Sequence, residues 1–316
     1  MLQKLQQRLE GIKENVPLAQ FTTFRIGGPA RYFYIAKNNE DIVKTVQVAL
    51  ELNIPYFILG AGSNILVSDK GFEGMVIKMQ NAECRMKNDI VVAGAGVSNA
   101  ILAKATVDAG LTGMEWAVGV PGTIGGSVRG NAGCFGSEMK NVVKVVKVLE
   151  VKGSTIHDLR YTNAQCEFKY RDSIFKHNKN LIILEVELKL QKGDQAEGDQ
   201  KIKEILKKRS ASQPKGLSSG CIFKNTDLHG GLRTYTDLPE EFIKRGQVPT
   251  GWIVEQCGLK GKKIGGAQIS LEHGNFIINT GNATAEDVII LISLIKEKAR
   301  NHFGIQLEEE IQLVGF

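Results

Sequence analysis

Residues 121–136 read PGTIGGSVRGNAGCFG. Six glycines in sixteen residues are more than tight turns need. Such density suits a backbone that lies directly against an extended ligand. The stretch follows a strand pattern, IVVAGAG, and a helix pattern from Asn99 to Ala109. Beyond it, VVKVVKVLEV and LIILEVELKL are β-branched and alternate with period two, as half-buried strands do. The region from about 80 to 190 therefore reads as an α+β domain organised around a glycine-rich loop.

Working outward, TTFRIGGPARYFYIA places a Gly-Gly-Pro turn before a strand in which Tyr32, Tyr34 and Ala36 alternate. Ile42, Val43, Val46, Ala49 and Leu50 then recur at helical spacing, Pro55 stops the helix, and YFIL starts a buried strand. Strand, helix, strand marks an α/β arrangement ending near Met79, with Gly60, Ala61, Gly62, Ser63 and Asn64 as the loop after its second strand. On the other side, the polar QKGDQAEGDQ reads as a surface connection and residues 199–209 as a charged helix. A long amphipathic helix follows, capped by Thr284 or Asn282, with Val288, Leu291, Ile292 and Ile295 as its apolar face. The segment EEEIQLVG reads as a final strand.

Composition narrows the classes. Apolar residues at 42% and charged residues at 23% fit a globular protein, and no apolar run approaches the ~20 residues that span a bilayer. The amphipathic MLQKLQQRLEGIKENV lacks the apolar core and cleavage site of a secretory signal, so a cytoplasmic location is expected. Lys+Arg 40 against Asp+Glu 34 gives +6, which favours phosphorylated small molecules over nucleic acid. The basic runs KIKEILKKR and KGKK carry no interleaved aromatics and read as solvated faces. Five cysteines with no CxxC pair, in odd number, point to reduced thiols. The histidines show neither HxH nor HExxH spacing, and no catalytic metal is expected.

Four smaller motifs carry candidate chemistry. LGAGSNIL runs a strand into a Gly-x-Gly loop and reads either as a tight turn or as an anion nest; it lacks the third glycine of GxGxxG and a P-loop lysine. Arg171, in KYRDSIF, offers a planar fork that clamps carboxylates, but taken alone reads rather as a surface ion-pair partner. Cys221, in SSGCIFKN, follows a small-residue turn with Lys224 close in sequence, a cation that lowers a thiol pKa. In LEEEIQLVG, Glu308 and Glu310 share one strand face and Glu309 takes the other.

In order, TTFRIGGPARYF, GAGSNILVSDKGFEG, PGTIGGSVRGNAGCFG, KYRDSIF, QPKGLSSGCIFKN, GLKGKKIGGAQISLEHGNFIIN and FGIQLEEEI resemble the successive signatures of the UDP-N-acetylenolpyruvoylglucosamine reductase family, nearly end to end. The short distance from YRDS to LIILEVELKL, without an inserted tyrosine loop, is similar to the family's second type. The resemblance implies an α+β, three-domain flavoenzyme, with a FAD-binding fold like that of the vanillyl-alcohol oxidase group (PCMH-type) and an α/β substrate domain. The expected divisions are residues 1–80, joined or not by the C-terminal strand, and 81–197 for FAD, and 198–316 for the UDP-sugar. The implied reaction is NADPH-dependent reduction of UDP-N-acetylglucosamine enolpyruvate to UDP-N-acetylmuramate for peptidoglycan synthesis, by hydride addition at C3 and protonation at C2. No nucleic acid, membrane span or protein partner is expected.

By the same resemblance the catalytic arginine falls on Arg171, the proton donor on Cys221 and a second acid on Glu310. The flavin diphosphate is expected over Gly60, Ala61, Gly62, Ser63 and Asn64. Its ring is expected near Pro121, Gly122, Thr123, Ile124, Gly125 and Gly126. Asn225 and Arg209 are implied substrate contacts. Two positions depart from the family pattern: Cys221 stands where most members carry serine, and Thr226 where most carry proline. A thiol, with an ordinary pKa of about 8.5, is a far stronger acid than a serine hydroxyl and suits proton delivery to a carbanion. It also opens the site to alkylation and oxidation. Two other readings follow from the same scaffold: a different FAD-dependent oxidoreductase, or a catalytically silent UDP-sugar-binding regulator.

Overall fold

The computed structural model describes residues 1–228 and 238–316. The chain forms two compact units. The first takes Met1–Val16, Ala30–Ala61 and Glu73–Arg209; the second takes Pro17–Pro29, Gly62–Phe72 and Ser210–Phe316. The fold is α+β in both.

In the first unit, one sheet orders its strands Lys13–Pro17, Pro29–Ala36, Phe72–Met79 and Tyr56–Leu59. The last two run parallel, joined in register from Tyr56 opposite Met75 to Leu59 opposite Lys78. The helix Asn39–Glu51 starts where the Asn38 side chain accepts from the Asp41 amide, with Glu40 and Asp41 in the first turn. Such a cap contributes about 1 kcal/mol, and acids there suit the positive end of the helix dipole. Its apolar stripe, Ile42, Val46 and Ala49, is fully buried.

A second sheet of five antiparallel strands orders Thr155–Thr162, Val143–Lys152, Leu181–Lys189, Ile90–Gly94 and Cys84–Lys87. The alternation of Val146, Val148 and Val186 gives it a buried face, packed with Phe175, Trp116 and Met114 in one core. Each such side chain removed from water stabilises the fold by about 1.5–3 kcal/mol.

The second unit has its own core, with Phe24, Phe223, Ile277, Leu291 and Phe303. The helix Ala285–Phe303 begins with a reciprocal capping box between Thr284 and Asp287 and ends at Gly304 in a left-handed conformation. The Thr284 cap is thus the one chosen. The strand Gln312–Val314 pairs in parallel with Ile65–Val67.

Two elements differ from the sequence reading. The charged helix spans Gln195–Ser212, so it begins inside the polar stretch read as a connection. The Asp194 carboxylate accepts from the Glu197 amide at 2.9 Å, a cap that moves the start upstream. The final strand is shorter than EEEIQLVG, because the backbone of Glu308 and Glu310 is bonded to residues 222–224 instead: Lys224 N–H donates to Glu308 O at 2.9 Å and Glu310 N–H to Ile222 O at 2.8 Å. No helix among the described residues is long and apolar enough to cross a membrane.

Candidate functional site

The glycine-rich stretch follows a short 3-10 turn, Glu115–Gly119, and contains the helix Ile124–Gly130. Thr123 caps that helix through its hydroxyl, which accepts from the Gly126 amide at 3.4 Å. The amides of Ile124 and Gly125 donate to Val97 O and Ala95 O, both at 2.9 Å, so neither is left for a phosphate. The contribution of this segment is therefore shape rather than a row of donors. A Cβ on Gly60 would lie 2.8 Å from the Thr123 hydroxyl, and one on Gly125 would lie 2.7 Å from Ala95 Cβ. Gly60 against Thr123 and Gly125 against Ala95 thus leave no room for a side chain in the first unit, the close backbone packing that glycine permits where a flat dinucleotide cofactor is expected to lie. The residues present fit FAD.

Arg171 sits at the tip of a tight turn in the same unit. Lys169 and Asp172 exchange backbone hydrogen bonds, each 3.1 Å, across Tyr170 and Arg171. The φ of Arg171 is +52°, left-handed backbone that a residue other than glycine holds only when its surroundings impose it. Those surroundings are visible. The Lys176 ammonium donates to Arg171 O at 2.6 Å, and Asp172 pairs with His177 at 2.8 Å. The Arg171 guanidinium donates to Gly133 O at 2.7 Å and lies 5.2 Å over the Tyr170 ring.

Gly133 belongs to the glycine-rich stretch, so two motifs that are separate in sequence meet at the guanidinium. Arg209 joins them. Its Cδ occupies the space where a Cβ on Gly119 would come within 2.1 Å. The thiol of Cys134 marks the junction: burial pushes its pKa up, and the charges of Arg209 and Arg171, with a hydrogen bond to Arg209, pull against that rise. The expected arginine and one expected substrate contact are therefore neighbours. Cys134 and Asn131 lie within the glycine-rich stretch, and no spacing or periodicity there marks either of them. The signal available for Asn131 was an amide residue placed directly after a helix.

In the second unit the chain brings together Cys221, Glu310 and Asn64. Cys221 bridges Phe276, Ile222 N–H donates to Asn275 O at 2.9 Å, and Ile222 O accepts from the Glu310 amide. The buried Asn275 side chain accepts from Phe223 N–H at 3.0 Å and donates to Phe223 O at 2.8 Å, fixing the strand that follows Cys221. Asn64 donates to Glu310 O at 3.1 Å and its own carbonyl accepts from Gln312 N–H at 3.0 Å. Asn64 thus anchors the glutamate segment.

The other two glutamates are engaged elsewhere, Glu308 with Lys224 at 2.5 Å and Glu309 with Lys296 at 2.7 Å. The ammonium read as a neighbour for the Cys221 thiol is thus ion-paired with Glu308. Asn225 accepts from the Thr250 amide at 3.3 Å. Ser219, two residues before Cys221, is buried with a hydroxyl that finds no partner among the described residues. An unpaired buried hydroxyl costs about 1–3 kcal/mol, a cost that a ligand relieves. No cluster of three or more His, Cys, Asp or Glu suited to a metal occurs among the described residues.

Comparison with known proteins covers both units. The model of a family described as UDP-N-acetylenolpyruvoylglucosamine reductase, C-terminal domain, matches residues 213–314, and that of a family described as FAD binding domain matches residues 30–158. A UDP-N-acetylenolpyruvoylglucosamine reductase of Syntrophomonas wolfei is 37% identical over 309 residues, covering 97% of this chain and 96% of the relative. One of Anoxybacillus flavithermus is 37% identical over 314 residues, covering 98% and 97%. The solved UDP-N-acetylenolpyruvylglucosamine reductase of Thermus caldophilus superposes with a TM-score of 0.76 at 32% identity, covering 96% of this chain and 99% of that one.

Proposed function

The chain belongs to the UDP-N-acetylenolpyruvoylglucosamine reductase family, and on that premise we propose that it reduces UDP-N-acetylglucosamine enolpyruvate to UDP-N-acetylmuramate in the cytoplasm, with NADPH as reductant, as a step toward peptidoglycan. The observation that carries the reading is the bond from the Glu310 amide to Ile222 O, which joins an acid near the end of the chain to the segment of Cys221.

FAD, when bound, supplies hydride taken from NADPH to C3 of the enolpyruvyl group. This chain's residues do the rest. Hydride addition drives negative charge through C2 onto the substrate carboxylate. The guanidinium of Arg171, preset by its turn, stabilises that developing charge more than it stabilises the ground state. Cys221 delivers the proton to C2 from its thiol, and the carboxyl of Glu310 shares in that proton transfer. Arg209 and Asn225 hold the anionic and uridine parts of the substrate. Gly60, Ala61, Gly62, Ser63 and Asn64 line the cofactor diphosphate, and residues 121–126 the flavin ring. In this reading residues 1–80 and 81–197 serve FAD, and 198–316 the UDP-sugar.

The test is an anaerobic absorption spectrum of the purified protein titrated first with NADPH and then with the enolpyruvyl substrate. The flavin band is expected to bleach and then to return. A band that bleaches and stays bleached removes the substrate from the reading; no flavin band after FAD is supplied removes the enzyme.

A further inference from the structure

We propose that Asn131 is a positioning residue for Arg171, an inference that rests on the catalytic reading of Arg171 above. Asn131 follows the helix Ile124–Gly130 in a left-handed conformation, φ +41° and ψ +54°. For that backbone role glycine serves at least as well as asparagine. Its side chain does something else. It is fully buried, and each of its polar atoms is engaged away from the helix. Nδ2 donates to Lys169 O at 2.8 Å and to the Glu138 carboxylate at 2.9 Å, while Oδ1 accepts from Lys140 N–H at 2.9 Å.

These partners are the two supports of Arg171. Lys169 O is the base of the turn that presents the arginine, the atom that also accepts from Asp172 N–H. Glu138 pairs with Gly133 in a small antiparallel hairpin, and Gly133 O is the acceptor that orients the guanidinium. One amide group therefore ties the base of the arginine's turn, at Lys169 O, to Glu138, the hairpin residue paired with the glycine whose carbonyl aims the charge. A left-handed arginine relaxes toward ordinary backbone angles when such a constraint is removed. A shift of about 1 Å in a group that stabilises developing charge lowers rate by as much as ~100-fold. Flavin reduction by NADPH does not draw on the stabilised enolate and is left alone.

The experiment uses the full-length, FAD-loaded protein and anaerobic stopped-flow, with the two half-reactions read separately. Asn131→Gly keeps the left-handed backbone and removes the amide. Asn131→Asp keeps the size and the acceptor and turns the donor into a repulsive oxygen. Both are expected to hold flavin at wild-type stoichiometry, to be reduced by NADPH within about twofold of wild type, and to be reoxidised by the enolpyruvyl substrate at least about tenfold more slowly. Parallel slowing of both half-reactions, no slowing of either, or loss of flavin from both variants overturns the proposal and leaves Asn131 a structural residue. Arg171→Lys is the control: normal reoxidation there sinks the catalytic reading itself, a result distinct from failure of the Asn131 variants alone.

Discussion

Arg171 and Cys221 are held by different kinds of bond. Arg171 stands on a left-handed turn whose main-chain bonds, between Lys169 and Asp172, are braced by the side chains of Asn131 and Lys176. Cys221 lies opposite Phe276 at the start of a main-chain ladder whose next residues, 222–224, pair with residues 308–310. A ladder is made of atoms that every residue carries, so it places position 221 whatever the side chain there. This is why a thiol can stand where the family pattern has serine without disturbing its supports. A side-chain scaffold has no such tolerance.

The sharpest test of that contrast is chemical. Arg171→Ala should slow reoxidation by the enolpyruvyl substrate about 10²–10³-fold in anaerobic stopped-flow, the loss typical of one preset charge-stabilising donor. Cys221→Ala should slow the same step by about 10²-fold, the contribution of a positioned general acid, while Cys221→Ser retains most of the rate. If alanine turns over as fast as cysteine, the ladder positions no proton donor and the contrast collapses. Next comes stability. Gly125→Ala pushes a methyl against Ala95 and should cost about 1–3 kcal/mol in thermal or denaturant unfolding, with weaker FAD retention.

The smallest effect concerns pH. Glu115 is a buried carboxylate whose side chain is only 8% exposed. Burial alone pushes its pKa up, and hydrogen bonds from Thr112 and Gly113, with Lys201 nearby, more than reverse this and hold it below the ordinary glutamate value. A carboxylate depressed by folding stabilises the protein above its unfolded pKa and loses that contribution as pH falls through the lower folded value. Glu115→Gln should therefore cost about 1 kcal/mol near neutral pH, by the loss of charge-assisted hydrogen bonds, and nearly nothing once the pH lies below the depressed pKa of the folded state. Equal destabilisation at both pH values would show that packing, not charge, accounts for the residue.

Some of this was legible from the sequence. The strands Val143–Lys152 and Leu181–Lys189 lie on the period-two runs, and Thr284 caps its helix, because both depend on neighbours a few residues away. What periodicity missed was decided at long range. The polar stretch before the charged helix gave no apolar rhythm, and only the Asp194 cap explains where the helix starts. Glu308 to Glu310 read as strand, yet their hydrogen bonds go to residues 222–224, a pairing no local pattern encodes. In the same way, Arg171 read alone is an ordinary surface arginine. Its meeting with Gly133 and Arg209 comes from tertiary structure, and only the ordered set of motifs pointed to it.

The parallel pairing of Ile65–Val67 with Gln312–Val314 bears on how the molecule is made. On a ribosome, the early strand emerges long before its partner is synthesised. For that interval an apolar segment, with Leu66 destined for the second core, has no strand to pair with. Closing so long a loop is slow relative to local helix formation, and the exposed edge is open to other chains. Leu66 therefore waits, on its way into the second core, for a strand partner made almost 250 residues later.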